Sequence, residues 1–242
     1  MKQNKQSIIC GLGEVGTSLF NILSKHYEVG KRDRHIMSGE VSYTTGTYQS
    51  LPVDILHICF PYSENFLEQV KAYQEEYKPE FTVIHSTVKP GTCRELNAVF
   101  SMVVGVHPNL EESMTTFTKF LAGENASSVA NYFRRAGMRV YLYEKQEALE
   151  YAKISQTTFY ALMIEYVKDL DKICKENNLS FSEVYTIPSQ DYNYGYNLLG
   201  HPEFKMPLLV PIQTKQGGHC TINNLELWKT PFTDLIKKLN NE

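Results

Sequence analysis

The sequence predicts an α/β protein in which a Rossmann-type, doubly wound parallel sheet is followed by a smaller, mainly helical domain. Two observations indicate this fold class. Short apolar, strand-like runs alternate with helix-like segments between residues 7 and 143, which is typical of a parallel sheet with helices on both faces. The first run, residues 7–10, leads into the glycine-rich turn Gly11-Leu12-Gly13-Glu14-Val15-Gly16 and then into a helix pattern.

Each glycine of this turn has an expected role. Gly11 permits a tight turn, Gly13 lets a diphosphate approach the backbone, and Gly16 allows the helix to contact the strand closely. The free N–H groups and the dipole at the start of the helix would then bind the phosphates. The turn therefore predicts a dinucleotide site, although S-adenosylmethionine sites also use a glycine-rich turn and an acidic residue.

The second strand, predicted over residues 27–32, ends at Asp33, which lies 17 residues after Gly16. An acidic side chain at this point can accept hydrogen bonds from an adenosine ribose, which favours NAD. Arg32 and Arg34 flank Asp33 and could instead hold the 2′-phosphate of NADP. Asp33 could also lie in a solvated turn without a ligand.

The other strands of the sheet follow at regular intervals. Buried-strand patterns cover residues 54–60, 81–86, 101–106 and 140–143, and a helix pattern covers 65–76. In a sheet of this kind the ligand crevice lies at the carboxyl ends of the strands. We therefore expect a dinucleotide-binding domain at residues 1–144.

Residues 145–242 form the predicted helical domain, which would bind substrate. A long helix pattern covers 147–177, and residues 179–184 start another helix. Residues 200–218, rich in proline and glycine, predict an irregular segment that delivers Cys220 towards the crevice. The tyrosines and amides of 191–197 could line a polyhydroxyl pocket or form a dimer contact.

The composition argues against several functional classes. A net charge of −3 over 242 residues gives no strong positive field, so neither nucleic acid nor an anionic membrane is an expected partner. No apolar run approaches the ~20 residues of a membrane helix, and the first residues lack the apolar core of a signal peptide. Five cysteines without framework spacing favour reduced thiols in a cytoplasmic protein, and the scattered histidines predict no metal site.

Several motifs occur in the order found in one known enzyme family. The chain resembles the nucleotide-sugar dehydrogenases, which oxidise UDP- or GDP-sugars and belong to the 6-phosphogluconate dehydrogenase-like superfamily. The motifs that carry the resemblance are GLGEVG (11–16), a strand ending at Pro61, HSTVKPGT (85–92), KISQTTFYALMIEYVKDL (153–170) and GGHC (217–220). VGVHPN (104–109) is also similar to prephenate dehydrogenases, which share the two-domain plan.

The resemblance implies that a hydroxyl group of a small-molecule substrate loses hydride to NAD. Lys153 matches the family lysine that stabilises negative charge on the substrate oxygen. Thr87 matches a threonine near the reacting centre, and Cys220 matches the thiolate that captures the aldehyde as a thiohemiacetal. Adjacent His219 could lower the pKa of that thiol or pack on its own loop. A solvated lysine and a buried thiol are the alternative interpretations of Lys153 and Cys220.

Other positions depart from the family pattern. Thr157 replaces an asparagine, Asn224 replaces an aspartate, and Asn109 stands where a glutamate is usual. The sequence ends about 20 residues after Cys220, so the family's third domain, which binds the sugar nucleotide, is not expected. These differences favour a sugar-like or hydroxy-acid substrate. They leave open a nucleotide-binding protein without catalysis, or a prephenate-like dehydrogenase.

The expected site residues fall into three sets. The catalytic set is Lys153, Cys220 and Thr87. The cofactor-binding set is Gly11, Gly13, Glu14, Val15, Gly16, Asp33, Pro61, Ser86 and Thr87. The substrate-binding set is His107, Asn109, Thr157, His219 and Asn224. His107 follows a strand end and could touch nicotinamide or substrate, or only cap the turn before Pro108. The expected cofactor is NAD, with NADP as the alternative, and the resemblance implies a homodimer.

Overall fold

The computed structural model describes residues 6–33, 53–105, 108–217 and 221–241. The glycine-rich turn and most of the strand ends lie within these ranges. Four of the residues discussed above lie outside them: Arg34, His107, His219 and Cys220.

The fold class is confirmed, because the part of the chain that the structure describes builds one seven-stranded, mostly parallel sheet. The order across the sheet is β2-β1-β3-β4-β5-β6-β7. The strands are β1 Gln6–Cys10, β2 Glu28–Arg32, β3 Ile55–Ile58, β4 Phe81–Ile84, β5 Val99–Met102, β6 Lys119–Ala122 and β7 Val140–Tyr143. All neighbouring strands are parallel except β5 and β6.

Two features of the sheet differ from the sequence expectation. The strand expected over 101–106 occupies Val99–Met102 instead, because it pairs with β4 through Val99 and Phe100, and the chain turns away at Gly105 with φ of +141°. One strand departs from the parallel direction of the others, because β6 runs antiparallel to β5. That strand has no counterpart among the expected elements.

Helices cover both faces of the sheet. They are α1 Glu14–Leu23, α2 Phe66–Tyr77, α3 Thr92–Glu95, α4 Leu110–Thr116, α5 Ala126–Arg135 and the first turns of α6 Gln146–Glu176. Side chains of α1, α4 and α5 pack on one face of the sheet, and those of α2, α3 and the start of α6 pack on the other. In α1 the buried side chains Leu19, Ile22 and Leu23 recur at helical spacing, which is why this segment forms a helix on a sheet.

The chain divides into two compact units between Lys153 and Ile154, and the boundary expected at 144/145 stays a prediction. The second unit contains most of α6, then α7 Ile187–Leu198, which continues a π-helical turn at Ser182–Thr186, and α8 Pro231–Asn241. Its small core brings together Ala161, Leu225 and Ile236. Among the helices that the structure describes, none combines the length and apolarity needed to cross a bilayer.

One buried side chain organises the second unit. Gln216 donates from Nε2 to the Ala161 carbonyl oxygen at 2.8 Å and to Glu165 Oε1 at 2.6 Å. Its backbone N–H donates to Asn240 Oδ1 at 2.6 Å, and Asn240 Nδ2 donates back to its carbonyl oxygen at 3.2 Å. The irregular segment before residue 217 is therefore fixed to both α6 and α8.

Candidate functional site

The glycine-rich turn between β1 and α1 combines two packed glycines with one exposed glycine. Gly11 has φ of +94°, and a Cβ there would lie 2.6 Å from the backbone nitrogen of Phe60. A Cβ on Gly16 would lie 1.8 Å from the carbonyl oxygen of Gly11. Gly13 is exposed, and its Cβ would have no described atom within 4 Å. The first and third glycines are therefore required by packing, whereas the second presents backbone to open space.

Hydrogen bonds hold this turn in place. The N–H of Gly11 donates to the Arg32 carbonyl oxygen at 2.8 Å, which ties the turn to the end of β2. Within the turn, Thr17 Oγ1 donates to the carbonyl oxygen of Leu12 at 2.9 Å. Helix α1 begins at Glu14, and the first N–H groups of a helix have no carbonyl partner inside it. The turn is thus suited to receive an anionic group.

Asp33 is brought to the turn, rather than into solvent. It directly follows β2, and its carboxylate accepts a hydrogen bond from the backbone N–H of Leu12. The neighbouring Arg32 is engaged elsewhere: its Nη1 donates to Glu76 Oε1 at 2.8 Å and to the Tyr77 hydroxyl at 3.0 Å. The residue beside the turn is therefore a carboxylate, and the guanidinium of the adjacent Arg32 is already held by α2.

The ends of β3 and β4 bring further expected residues to the same edge of the sheet. Pro61 follows β3, while Ser86 and Thr87 follow β4. Ser86 Oγ donates to the Phe60 carbonyl oxygen at 2.6 Å, which ties the two strand ends together. Because β1, β3 and β4 are adjacent and parallel, Pro61, Ser86 and Thr87 lie at the edge that carries the glycine-rich turn.

Lys153 also reaches this edge of the sheet. Its Nζ donates to the carbonyl oxygen of Val103 at 2.9 Å. Val103 directly follows β5, which lies next to β4 and parallel to it. The structure therefore places an ammonium group among the carboxyl ends of the parallel strands, where ligands bind in folds of this class.

The expected substrate-binding residues lie in several places. Asn109 caps α4 and lines an open groove of about 510 Å³ with Ile22 and Lys25, near the C-terminal end of α1. In the second unit, Thr157 Oγ1 donates to the Ile154 carbonyl oxygen of its own helix, and Asn224 is buried. His107, His219 and Cys220 lie outside the described residues. The roles of all six stay predictions.

Sequence reasoning missed a buried polar cluster next to this edge. His57 Nδ1 and His85 Nε2 are 3.0 Å apart, and neither ring is exposed by more than 3%. Lys119 is also buried, with Nζ 4.9 Å from the centre of the Phe133 ring. Burial lowers the pKa of Lys119 to about 8. Burial, together with the Lys119 charge, lowers the pKa of His57 to about 3, so both imidazoles are neutral at physiological pH.

The cluster carries no pattern in the sequence that would have revealed it. His57 stands inside the apolar run of β3, where a single polar residue reads as a strand position like any other. Within the described residues, no group of three or more His, Cys, Asp or Glu side chains could hold a metal ion. The three side chains of the cluster are buried in the interior of the sheet domain.

At the level of sequence, no protein-family model and no curated protein matches the chain. Solved structures do match. The UDP-D-ManNAc dehydrogenase of Pyrococcus horikoshii is 14% identical to this chain, and the two structures match with a TM-score of 0.74. The match covers 98% of this chain and 68% of the dehydrogenase chain. A UDP-glucose dehydrogenase from Pyrobaculum islandicum is also 14% identical, with a TM-score of 0.70. Here the match covers 99% of this chain and 68% of the dehydrogenase chain.

A third similar structure is close to this chain in length. The 3-hydroxyisobutyrate dehydrogenase of Mycobacterium tuberculosis is 13% identical to this chain, with a TM-score of 0.68. The match covers 100% of this chain and 93% of the dehydrogenase chain. The two sugar-nucleotide dehydrogenases extend well beyond the matched region, whereas this enzyme does not. The chain therefore has the fold shared by nucleotide-sugar and 3-hydroxyacid dehydrogenases, a Rossmann-type sheet followed by helices.

Proposed function

We propose that the chain is an NAD-dependent oxidoreductase that removes hydride from a CH–OH group of a sugar-like or hydroxy-acid substrate. The observation that carries this proposal is the turn, in which Gly13 presents open backbone between the packed Gly11 and Gly16. The three similar structures named above support it, because each is a dehydrogenase by name.

The residues around the turn fit a dinucleotide. The backbone at Gly13, Glu14 and Val15 would bind the diphosphate at the start of α1. Asp33, already bonded to the turn, would accept hydrogen bonds from the ribose hydroxyls. NAD is favoured over NADP because a 2′-phosphate would meet this carboxylate, while Arg32 is held by α2.

The far end of the dinucleotide would lie along the neighbouring strand ends. Pro61, Ser86 and Thr87 occupy that edge of the sheet, and they would line the place of the nicotinamide ring. When bound, NAD supplies the hydride acceptor. The protein itself would hold the nicotinamide ring and the substrate carbon in a fixed geometry.

Lys153 is the proposed group that binds the substrate oxygen. Negative charge develops on that oxygen as hydride leaves the carbon, and a fixed ammonium stabilises it. The hydrogen bond from Nζ to the Val103 carbonyl oxygen orients the ammonium at this edge of the sheet. His107, Asn109, Thr157 and Asn224 complete the proposed substrate-binding set.

We assign Cys220 a role in a second oxidation step. Its thiolate would add to the carbonyl carbon of the aldehyde product, so that a C–S bond forms as the C=O π bond opens and the oxygen takes a proton from solvent. This thiohemiacetal would lose hydride to a second molecule of NAD, and water would then cleave the thioester to release the acid and the thiol. His219, the preceding residue, would favour the thiolate when protonated. If the reaction stops after one oxidation, Cys220 has no covalent role.

A homodimer in the cytoplasm is part of the same proposal. Along α6, the exposed side chains Phe159, Tyr166 and Ile173 recur every seven residues and form one apolar stripe. A second copy of the helix would cover such a stripe. The four cysteines that the structure describes are free thiols, which suits a reducing compartment.

Calorimetry with NAD, NADP and S-adenosylmethionine tests the cofactor. We expect NAD to bind at least about tenfold more tightly than NADP, because one unfavourable phosphate contact costs about 1.4 kcal/mol or more. Binding of S-adenosylmethionine without binding of NAD would overturn the proposal.

A substrate panel tests the reaction, with NADH formation as the measurement. The panel contains UDP-sugars and 3-hydroxy acids. With the substrate that gives NADH formation, Lys153→Met should lower kcat by about 100-fold or more. Its affinity for NAD should stay within about twofold of the wild-type value. Lys145→Met, an exposed lysine eight residues earlier in the chain, is the matched control and should behave as wild type. Equal turnover by both variants would refute the role of Lys153.

A further inference from the structure

The first turns of α6 carry three side chains that bond to the sheet domain. Gln146, Glu150 and Lys153 are four and three positions apart, which places them on one face of the helix. Gln146 Nε2 donates to the Ala98 carbonyl oxygen at 2.6 Å, just before β5. Lys153 Nζ donates to the Val103 carbonyl oxygen, just after β5. Glu150 lies between these two anchors.

Glu150 is a buried carboxylate that caps the loop after β4. Its side chain is 1% exposed. Oε2 accepts a hydrogen bond from the backbone N–H of Gly91 at 2.6 Å, and Oε1 accepts one from the N–H of Cys93 at 3.1 Å. A buried carboxylate is tolerated only where such donors replace water, and hydrogen bonds to an ionised acceptor are the stronger kind.

The loop that Glu150 caps is the one that carries Thr87. At its start, Ser86 Oγ donates to the Phe60 carbonyl oxygen at 2.6 Å. In its middle, the side chain of Val88 is 1% exposed. At its end, Gly91 and Cys93 donate to Glu150. Thr87 therefore lies in a loop fixed at both ends, and one of those ends is fixed by α6.

We propose that Glu150 is a positioning residue for the hydride transfer of the proposed function, on which this inference rests. Glu150 and Lys153 are one helical turn apart, so the bonds from Glu150 to the loop set the distance between Thr87 and the Lys153 ammonium. The helical turn fixes the spacing of the two Cα atoms, and the hydrogen bond from Lys153 Nζ to the Val103 carbonyl oxygen fixes the end of its flexible side chain. Displacement of a reacting group by about 1 Å is enough to lower a rate by about 100-fold.

Glu150→Gln and Glu147→Gln form a matched pair for the test. Both remove one carboxylate charge from the same stretch of α6. Glu147, however, pairs with Arg94 at 2.7 Å, with 42% and 73% of their side chains exposed. We expect Glu150→Gln to lower kcat by about 10- to 100-fold with KM for NAD within about twofold, and Glu147→Gln to change neither. Glu150→Asp keeps the charge and should recover part of the lost kcat.

Residue-resolved amide exchange gives a readout that needs no substrate. The N–H groups of Gly91 and Cys93 should exchange at least about tenfold faster in Glu150→Gln, and as in wild type in Glu147→Gln. If the exchange rates of these two amides, or the value of kcat, are the same in Glu150→Gln as in Glu147→Gln, the inference is wrong. If Glu150→Gln does not fold, the same two measurements on Glu150→Asp decide, and wild-type values there also overturn it. Wild-type protein that binds no NAD and oxidises nothing refutes the proposed function instead, while the exchange data still report whether Glu150 holds the loop.

Discussion

A single methyl group on Gly16 tests the packing on which the proposed dinucleotide site depends. The Cβ of alanine at this position would lie 1.8 Å from the carbonyl oxygen of Gly11 and 3.3 Å from Cys59 Cβ, whereas ordinary contact begins at 3.4 Å. The start of α1 would have to move away from β1 by roughly 1.5 Å, since close-packed backbone leaves no room to absorb the difference.

This displacement gives an estimate of the unfolding free energy that Gly16→Ala would lose. Overpacking of a close-packed interior costs about 1–3 kcal/mol of unfolding free energy. Backbone atoms cannot rotate aside as a side chain can, so we expect the upper end, about 3 kcal/mol. At about 2–4 °C per kcal/mol for a chain of this size, the Tm of Gly16→Ala should fall by about 6–12 °C.

Gly13→Ala is the control for Gly16→Ala, and it separates packing from binding. Its methyl group would meet no described atom within 4 Å, so Tm should change by no more than about 2 °C. The same methyl would occupy the space where we propose that the diphosphate approaches, and the affinity for NADH should fall by about tenfold or more, or about 1.4 kcal/mol.

Thermal melts and NADH fluorescence titrations measure both effects. A Gly16→Ala protein that melts like wild type would show that the close approach of α1 to β1 is not required. A Gly13→Ala protein that binds NADH as tightly as wild type would show that no diphosphate lies against this backbone.

Three further changes test other parts of the structure. Asp33→Asn should weaken NADH binding by about tenfold in the same titration, and unchanged affinity would remove Asp33 from the site. Burial lowers the pKa of His57 from an ordinary 6.5 to about 3, so the unfolded chain binds more protons between these values and stability should fall as pH drops below about 6.5. In urea unfolding at several pH values, His57→Leu should flatten this dependence, whereas the exposed His26→Gln should not. Gln216→Ala should lower the unfolding free energy by about 1–3 kcal/mol, because buried acceptors lose their donor; the exposed Gln213→Ala should cost no more than about 0.5 kcal/mol, and equal urea midpoints for the two would contradict the Gln216 anchor.

The bounds of α2 and α6 could be predicted from the sequence to within one residue at each end, whereas α4 and α8 were not predicted. A helix pattern over 65–76 corresponds to Phe66–Tyr77, and one over 147–177 corresponds to Gln146–Glu176. The end of α2 has a local signal, because Lys78, which follows the last helical residue, has φ of +44° and precedes a proline. Helix ends of this kind depend on local residues, and local residues are what a sequence displays.

Strand ends and strand direction depend on partners and were predicted less well. The apolar run 101–106 looks like a strand, yet β5 begins at Val99 because Val99 and Phe100 pair with β4. The direction of β6 leaves no mark in its apolar pattern, because alternation is the same for parallel and antiparallel neighbours. These errors share a cause, since each feature is a property of two strands rather than one.

In the candidate site, too, features that lie within one short segment were predicted and contacts between distant residues were not. The close packing of Gly11 and Gly16 and the place of Asp33 beside the turn were predictable, because a turn, a close contact and a strand end belong to one short βαβ segment. Their binding of a dinucleotide stays a prediction. His57 and His85 were not predictable, because the contact that makes them unusual joins residues 28 positions apart. A histidine inside an apolar strand gives no sign of whether its ring nitrogen has a partner.

Three glutamates near the start of α6 have different surroundings in the structure although they look alike in the sequence. Glu144, Glu147 and Glu150 recur every three residues and look alike as a solvated acidic stretch. In the structure Glu144 is exposed, Glu147 pairs with a surface arginine, and Glu150 is buried against two backbone N–H groups. Only the loop that ends 59 residues earlier distinguishes the third from the first two. A positioning residue acts through its partner, so it becomes recognisable only when the fold supplies that partner.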